Sequence, residues 1–413
     1  MRRLLKVERP FAAGARRVAS AISAASLSLP TGRRAVYAMA ARQCIFGVVP
    51  IFLTGYLMVL FYPSPHLFAS DFQRSYWPAA SQILHGHSPY IEPRMLDLTR
   101  DVGFIYPALG ALALAPFALI PKVLGGVIFT LLNVVAGLLT LRVLDVRDWR
   151  LYGLIFLWLP VISAWETANV TLLVALGIAL VWRHRRRPVL AGVLVAILIS
   201  VKPFVWPLGI WLVAARRYKA AAFAAAYSLA LNLAAWAILG FSELPRYQRL
   251  ARAFTKDGER IGYSVVSLAL HLGASHTAAY LTGLTLAGLA AGACVARGRG
   301  DSERTALVLS LAVTMLATPF IWLHYFALLI VPLALTRPTL GYAWGLPFAM
   351  WVCLPTDNPA TWKIAVALAA CTAVFAVTLR RPAHAVVARS GSSDELPSAP
   401  QPRLSASATP ESI

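Results

Sequence analysis

Asp71 opens the stretch DFQRSYWPAASQILHGHSPY (71–90), a polar and aromatic segment that directly follows a long apolar run. A carboxylate there can take the proton of a sugar hydroxyl as that oxygen attacks an activated anomeric carbon, provided it lies within hydrogen-bond reach. The plainer reading is a helix N-cap or a solvated loop acid. Lys202, in SVKPF, interrupts an apolar run of 27 residues, 189–215. A lysine in the bilayer costs about 2.5–3.5 kcal/mol on insertion scales, so such an ammonium usually has a partner or a task. Beside the helix-breaking Pro203 it could hold a phosphate; the alternatives are snorkelling to the interface or pairing with Glu166. One base and one cation are the minimum equipment for an alcohol to displace a phosphate from carbon.

Other residues fit around that pair. Glu166 and Asn169, in WETANVT, either bind sugar hydroxyls or cap the helix that begins there. His324, close to Trp322 and Tyr325 in TPFIWLHYF, can donate to a phosphate or hydroxyl, or can simply sit in an aromatic belt. Tyr76, Tyr90 and Tyr106 suit stacking on sugar faces as well as interface anchoring, and Arg74 joins them as a binding candidate. His85 and His87 have no third ligand at a helpful spacing, so no metal site is expected. Cys44, Cys294, Cys353 and Cys371 lie in or beside apolar runs without a Cys-x-x-Cys spacing and read as buried small hydrophobes. No cofactor is implied.

The elements that position these groups follow from composition. Hydrophobic residues make up 59% of the 413, charged residues 13%, and the mean hydropathy is +0.67. That balance is a polytopic membrane protein and excludes an ordinary soluble domain. The net charge of +21 does not indicate nucleic-acid binding, because the basic residues cluster between apolar runs as cytoplasmic loops do. Residues 1–43 carry nine Arg or Lys against the single acid Glu8 and lack a signal-peptide core. They read as a basic cytoplasmic tail, a start placed too early, or a transit peptide.

The domain organisation expected is that tail, a membrane domain over 44–381, and a disordered cytoplasmic Ser/Pro/Ala-rich tail over 382–413. A first span from about Cys44 to Tyr62 ends at Pro63 and Pro65, and the loop 63–104 then lies outside. Phe72, Tyr76, Ala79, Ala80, Ile83 and Leu84 repeat in it at helical spacing, which predicts a surface helix with Asp71 at its N-terminus. Four apolar stretches separate this loop from RHRRRP (183–188), yet an odd number must cross. The segment Tyr106–Ile120, bracketed by Pro107, Pro116 and Pro121, is expected to fail; Leu151–Trp165 is the other candidate. Both RHRRRP and ARRYK (215–219) belong inside, and the 27 residues between them are too few for two crossings, which need about 40. They form a broken hairpin with SVKPF at its apex, lifting Lys202 by roughly 20 Å. Spans then follow over 220–241, 278–296, 305–318, 320–335, 342–354 and 362–379, with 242–263 as an outer loop.

Taken in order, DFQRSYWPAASQILHGHSPY, FIYPALGALALAPFALIP, ANVTLLVALGIAL with RRRPVLAGVLVAILISVKPFVWP, and TPFIWLHYFALLIVPLAL resemble glycosyltransferase family 87 of the GT-C superfamily over most of 45–340. The resemblance implies an all-α, GT-C-like transmembrane bundle with re-entrant or broken helices and its site on the outer face of the cell membrane. It implies a polyprenyl-phosphate-linked sugar donor, with mannose favoured, a glycan or glycolipid acceptor, and inverting transfer. By position in the motifs, Asp71 matches the general base, and Lys202 and His324 match polar positions near the donor phosphate. One departure is Thr167-Ala168 where the family has Gly-Gln before the Asn, which bears on the acceptor and the sugar. The competing readings are a transporter or flippase of lipid-linked sugars, for which broken helices are also expected but an internal repeat is not seen, and a polysaccharide polymerase or ligase.

Overall fold

The computed structural model describes residues 37, 40–61, 68–98, 103–298, 303–354 and 359–380. The basic tail up to 36, Pro63 and Pro65, Asp101, the basic turn at 299–302, residues 355–358 and the tail from 382 lie outside them. The described part is 80% helical without strands, an all-α polytopic bundle. The chain divides into Met1–Thr378 and Leu379–Ile413; only the last two described residues belong to the second unit.

Along the first unit, α1 (Val49–Phe61) is followed by α2 (Trp77–Leu84), which continues a wider turn over Phe72–Tyr76 headed by Asp71. Next come α3 (Ala108–Leu114), α4 (Lys122–Val143), α5 (Arg150–Leu154), α6 (Leu159–Glu166) and α7 (Thr171–His184). Then α8 (Pro188–Val201) and α9 (Leu208–Ala214) flank Lys202. They precede α10 (Tyr218–Leu239), α11 (Leu244–Gly258), α12 (Val265–His271), α13 (His276–Gly298) and α14 (Glu303–Ala317). The chain closes with α15 (Ile330–Thr336), a 3₁₀ segment Tyr342–Cys353 and α16 (Thr361–Leu379). By length and composition α4, α10, α13 and α16 can each cross a membrane, and α6 with α7, bent by 110°, makes a fifth if that pair is one span.

The side-chain distribution on α4 is that of a helix in lipid. Gly125, Gly126, Phe129, Thr130, Asn133, Ala136, Gly137 and Thr140 recur at helical spacing on its buried face, while Leu131, Leu132, Val135 and Leu139 point outward. Small and weakly polar groups pack against protein and leucines meet lipid, because lipid offers no hydrophobic drive to bury them. The two inner glycines admit the Asp71 helix: a Cβ on Gly125 would lie 2.9 Å from the Phe72 ring, and one on Gly126 3.1 Å from the Ala69 Cβ.

Ionic contacts define the end of the bundle opposite Asp71. Arg185 and Arg217 both pair with Glu303, and Arg217 also donates to the Arg185 carbonyl. The chain therefore leaves and returns at one place, which is the broken hairpin expected of residues 189–215. Arg183 meets Asp145 at 3.1 Å, so α4 and α7 end at that same face. From Arg217, α10 runs 19 residues, about 28 Å at the helical rise, to Trp236, which stacks on Tyr90 with ring centroids 5.9 Å apart. Asp71 and its neighbours thus lie a membrane thickness from the arginine face.

The excursion 106–120 begins and ends at that far face. The Tyr106 and Tyr76 hydroxyls share a 2.7 Å hydrogen bond, and the Trp77 indole donates to the Ile120 carbonyl at 3.1 Å. A segment whose two ends meet adjacent residues has not crossed; the prolines that bracket it keep it short and broken. Two expectations need revision. The outer loop 242–263 is mostly the helix α11, because Tyr247, Leu250 and Phe254 recur at helical spacing and pack inward. The segment 342–354 is wound throughout as 3₁₀, with Pro347 inside it.

Candidate active site

Asp71 sits in the first turn of its helix with helical dihedrals, and its side chain caps no backbone group of the turn that follows. Instead it accepts from Asn169 Nδ2 at 2.5 Å, across 98 positions of sequence. Two backbone bonds clamp the same helix to the turn that holds Asn169: Ala69 N–H to the Glu166 carbonyl at 2.8 Å and Phe72 N–H to the Thr167 carbonyl at 3.4 Å. That turn, between α6 and α7, contains Ala168 at φ +54°. A non-glycine residue in this left-handed region carries about 1–2 kcal/mol of strain, and the conformation directs Asn169 back toward Asp71.

Lys202 reaches the same asparagine from the other side. Pro203 removes an N–H and drives the preceding residue out of the helical region, so α8 stops and Lys202 takes φ −137°, ψ 88°. Its ammonium, on a residue only 4% exposed, donates to Asn169 Oδ1 at 3.0 Å and Thr171 Oγ1 at 3.2 Å. Thr171 also donates its N–H and hydroxyl to Asn169 Oδ1, at 3.1 and 2.7 Å, which fixes the amide's orientation. The carboxylate and the ammonium are thus held on the two ends of one amide.

Aromatic rings close the surroundings. Asn169 Nδ2 lies 3.1 Å from the Tyr76 hydroxyl and 3.5 Å from that of Tyr106, while Tyr90 donates to the Tyr106 carbonyl at 3.1 Å. Burial, with Tyr247 and Glu243 nearby, pushes the Tyr90 phenol well above its ordinary value, so it remains a neutral donor. The Lys202 ammonium lies 4.2 Å from the Tyr325 ring centroid and 5.3 Å from that of Phe204. His324 is buried edge-on to Tyr325 at 5.0 Å, and its Nε2 has no hydrogen-bond partner among the described residues. Buried polar atoms of that kind are rare and call for a ligand or a water.

The sequence candidates therefore divide. Asp71, Tyr76, Tyr106, Asn169, Lys202 and Tyr325 form one connected cluster, with Tyr90 and His324 one contact beyond. Arg74 and Glu166 are half-buried nearby, and Trp322 lies further out against Phe320, ring centroids 6.5 Å apart. Thr171 is the member that sequence reasoning missed; the Asn-x-Thr spacing at a helix start was the available signal, since such pairs close side-chain-to-backbone turns. No group of three His, Cys, Asp or Glu suited to a metal occurs among the described residues.

From Tyr106 an apolar cavity of about 380 Å³ runs between α3, α4, α7 and α8, lined by Phe117, Leu173, Gly177, Leu198 and Val201 among others. It touches α7 from Leu173 to Leu180, roughly 11 Å of helix, and Val201 adjoins Lys202.

The sequence model of glycosyltransferase family 87 matches residues 104–323, more than half of the chain. No curated protein and no solved structure matches.

Proposed function

The chain belongs to glycosyltransferase family 87 and is a membrane glycosyltransferase, and from that premise we propose that it transfers a sugar from a polyprenyl-phosphate donor to a glycan or glycolipid acceptor. The observation that carries this reading is the amide-bridged pair of Asp71 and Lys202 beside Tyr106 and Val201, which line an apolar cavity. A prenyl chain suits the cavity, and its phosphate then falls beside Lys202, the one cation of the cluster. Transfer is a single displacement. Asp71 takes the proton of the acceptor hydroxyl, and the acceptor oxygen forms a bond to the anomeric carbon. The carbon–oxygen bond to phosphate breaks, and the lipid phosphate departs with the electron pair beside the Lys202 ammonium. One displacement inverts the anomeric centre.

In this account Asn169 positions both groups, and His324 supplies its unpartnered Nε2 to the phosphate or a sugar hydroxyl. Tyr76, Tyr90, Tyr106 and Tyr325 wall the sugar pocket, with Arg74, Glu166 and Trp322 at its rim. The sugar is mannose and the site faces the outside of the cell membrane, opposite the end where Arg185 and Arg217 pair with Glu303. Family membership favours a transferase over a transporter of lipid-linked sugars, although broken helices around an intramembrane lysine would serve either.

The test supplies purified protein in lipid with polyprenyl-phosphate-[³H]mannose and a mannosylated glycolipid extract. Label moving to the glycolipid fraction supports the proposal. Label that moves only from a nucleotide sugar, or that crosses the bilayer without leaving its lipid, would overturn it.

A further inference from the structure

The amphipathic helix α11 carries its charge on the wrong side for topology alone. Residues 243–260 hold the cations Arg246, Arg249, Arg252, Lys256 and Arg260 against Glu243, Asp257 and Glu259. This helix lies at the Asp71 end of the bundle: Tyr247 packs on Tyr90 with centroids 5.2 Å apart, and Arg246 reaches Glu92 at 3.1 Å. Loops on that face need no basic residues for orientation, so the excess asks for another cause.

The charges are not consumed within the fold. Arg246 is, by Glu92 and Glu243. Arg249, Arg252 and Lys256, at spacings of three and four, form one exposed stripe and have no ion pair among the described residues. The apolar side of α11 is spent on the protein, with Leu250 fully buried and Phe254 tilted against Phe320, ring centroids 4.9 Å apart, so the helix has no free face to insert into lipid. Arg252 and Lys256 also line a cavity of about 640 Å³ with Thr255, Glu259, His276 and Tyr280. The one carboxylate lining it, Glu259, is occupied by His276 Nδ1 at 2.9 Å and the Tyr280 hydroxyl at 3.0 Å, which leaves the two cations to face a ligand.

We propose that this stripe and cavity bind an anionic group of the acceptor, a phosphate or carboxylate on the glycan a few sugars from the hydroxyl that reacts. The inference rests on the transferase reading and names the acceptor class for it. Distance supports the assignment. Tyr247 touches the wall of the active site, and along the helix Arg252 is about 8 Å and Lys256 about 14 Å further on. That rise along the helix is a span a short oligosaccharide covers. The Thr255 hydroxyl, which donates to the Ala251 carbonyl at 2.9 Å, can still accept from a sugar hydroxyl, and the cations suit the anion.

The test measures binding of mannopentaose phosphate and of neutral mannopentaose to the full-length protein in nanodiscs of neutral lipid. The double variant Arg252→Gln/Lys256→Gln is expected to bind the phosphorylated probe about tenfold more weakly, with affinity falling as salt rises, and to bind the neutral probe as the wild type does. Equal affinity for both probes, or an unchanged double variant, overturns the inference. So does sensitivity of the stripe to vesicles of phosphatidylglycerol with none to the probe, which would make it a headgroup surface. The Asp71→Asn protein should bind the phosphorylated probe normally, so inactivity in transfer leaves this result standing, and loss of probe binding without loss of transfer defeats this inference alone.

Discussion

Asn169→Ala is the substitution that most directly tests how the site is built. Asn169 donates to Asp71 at 2.5 Å, accepts from Lys202 at 3.0 Å, and accepts twice from Thr171. The first two bonds reach the acid and the lysine, and bonds to charged groups contribute about 1.5–3 kcal/mol each. They share one amide and do not add, so about 3 kcal/mol of transition-state positioning is the reasonable loss. That corresponds to a fall in kcat of roughly a hundredfold, with donor KM little changed because the cavity is untouched. The assay is single-turnover sugar transfer in nanodiscs, with the thermal midpoint as a folding control, since the alanine leaves a buried ammonium short of an acceptor. Asn169→Asp guards against that complication: it keeps an acceptor for Lys202 but sets a second carboxylate against Asp71, and it should lose at least as much rate while folding. Retention of kcat within about threefold by a folded Asn169→Ala protein would refute the bridging role.

Three further outcomes follow from the same packing. Gly125→Ala puts a methyl 2.9 Å from the Phe72 ring and should cost about 1–3 kcal/mol of overpacking, read as a lower thermal midpoint and reduced transfer as the Asp71 helix shifts; an unchanged protein would show that α4 can yield. Ala168→Gly relieves a residue at φ +54° and should be neutral or stabilising by up to about 1 kcal/mol, whereas Ala168→Val should destabilise by about 2 kcal/mol or more, both in chemical denaturation. Asp148 is held by Arg150 and the Leu340 N–H, which lower its pKa to about 2. Because the folded value lies below the unfolded one, its contribution is complete above about pH 4 and is lost as pH falls toward 2. Asp148→Asn should therefore flatten that part of the midpoint-against-pH curve, and identical curves would contradict the assignment.

Much of this arrangement was legible in the chain. Two arginine clusters 27 residues apart could belong to one face only if the chain turned back between them, and Glu303 is the residue that joins them. Parity and three prolines marked 106–120 as the stretch that turns back. Pro203 told where Lys202 would leave its helix. What the sequence withheld was long-range: nothing in WETANVT says that its asparagine will lie between an acid 98 positions earlier and a lysine 33 positions later. A cap and a bridge use the same residue type, and only the packing of α7 against the Asp71 helix decides between them. The charged face of α11 is not legible from hydropathy, because residues 242–263 read as a polar loop between two apolar runs. Family membership, shown by the match over 104–323, covers neither Asp71 nor the first span, so the acid's role stands on geometry.

The central claim is that Asp71 is the base, and donor binding separated from transfer tests it most directly. Wild-type and Asp71→Asn proteins are loaded with polyprenyl-phosphate-[³H]mannose, bound donor is counted, and acceptor is then added in a single turnover. Asp71→Asn keeps a hydrogen-bonding group of the same shape, so donor occupancy should match the wild type while transfer falls by about a thousandfold or more. Transfer at the wild-type rate from an equally loaded Asp71→Asn protein would contradict the account.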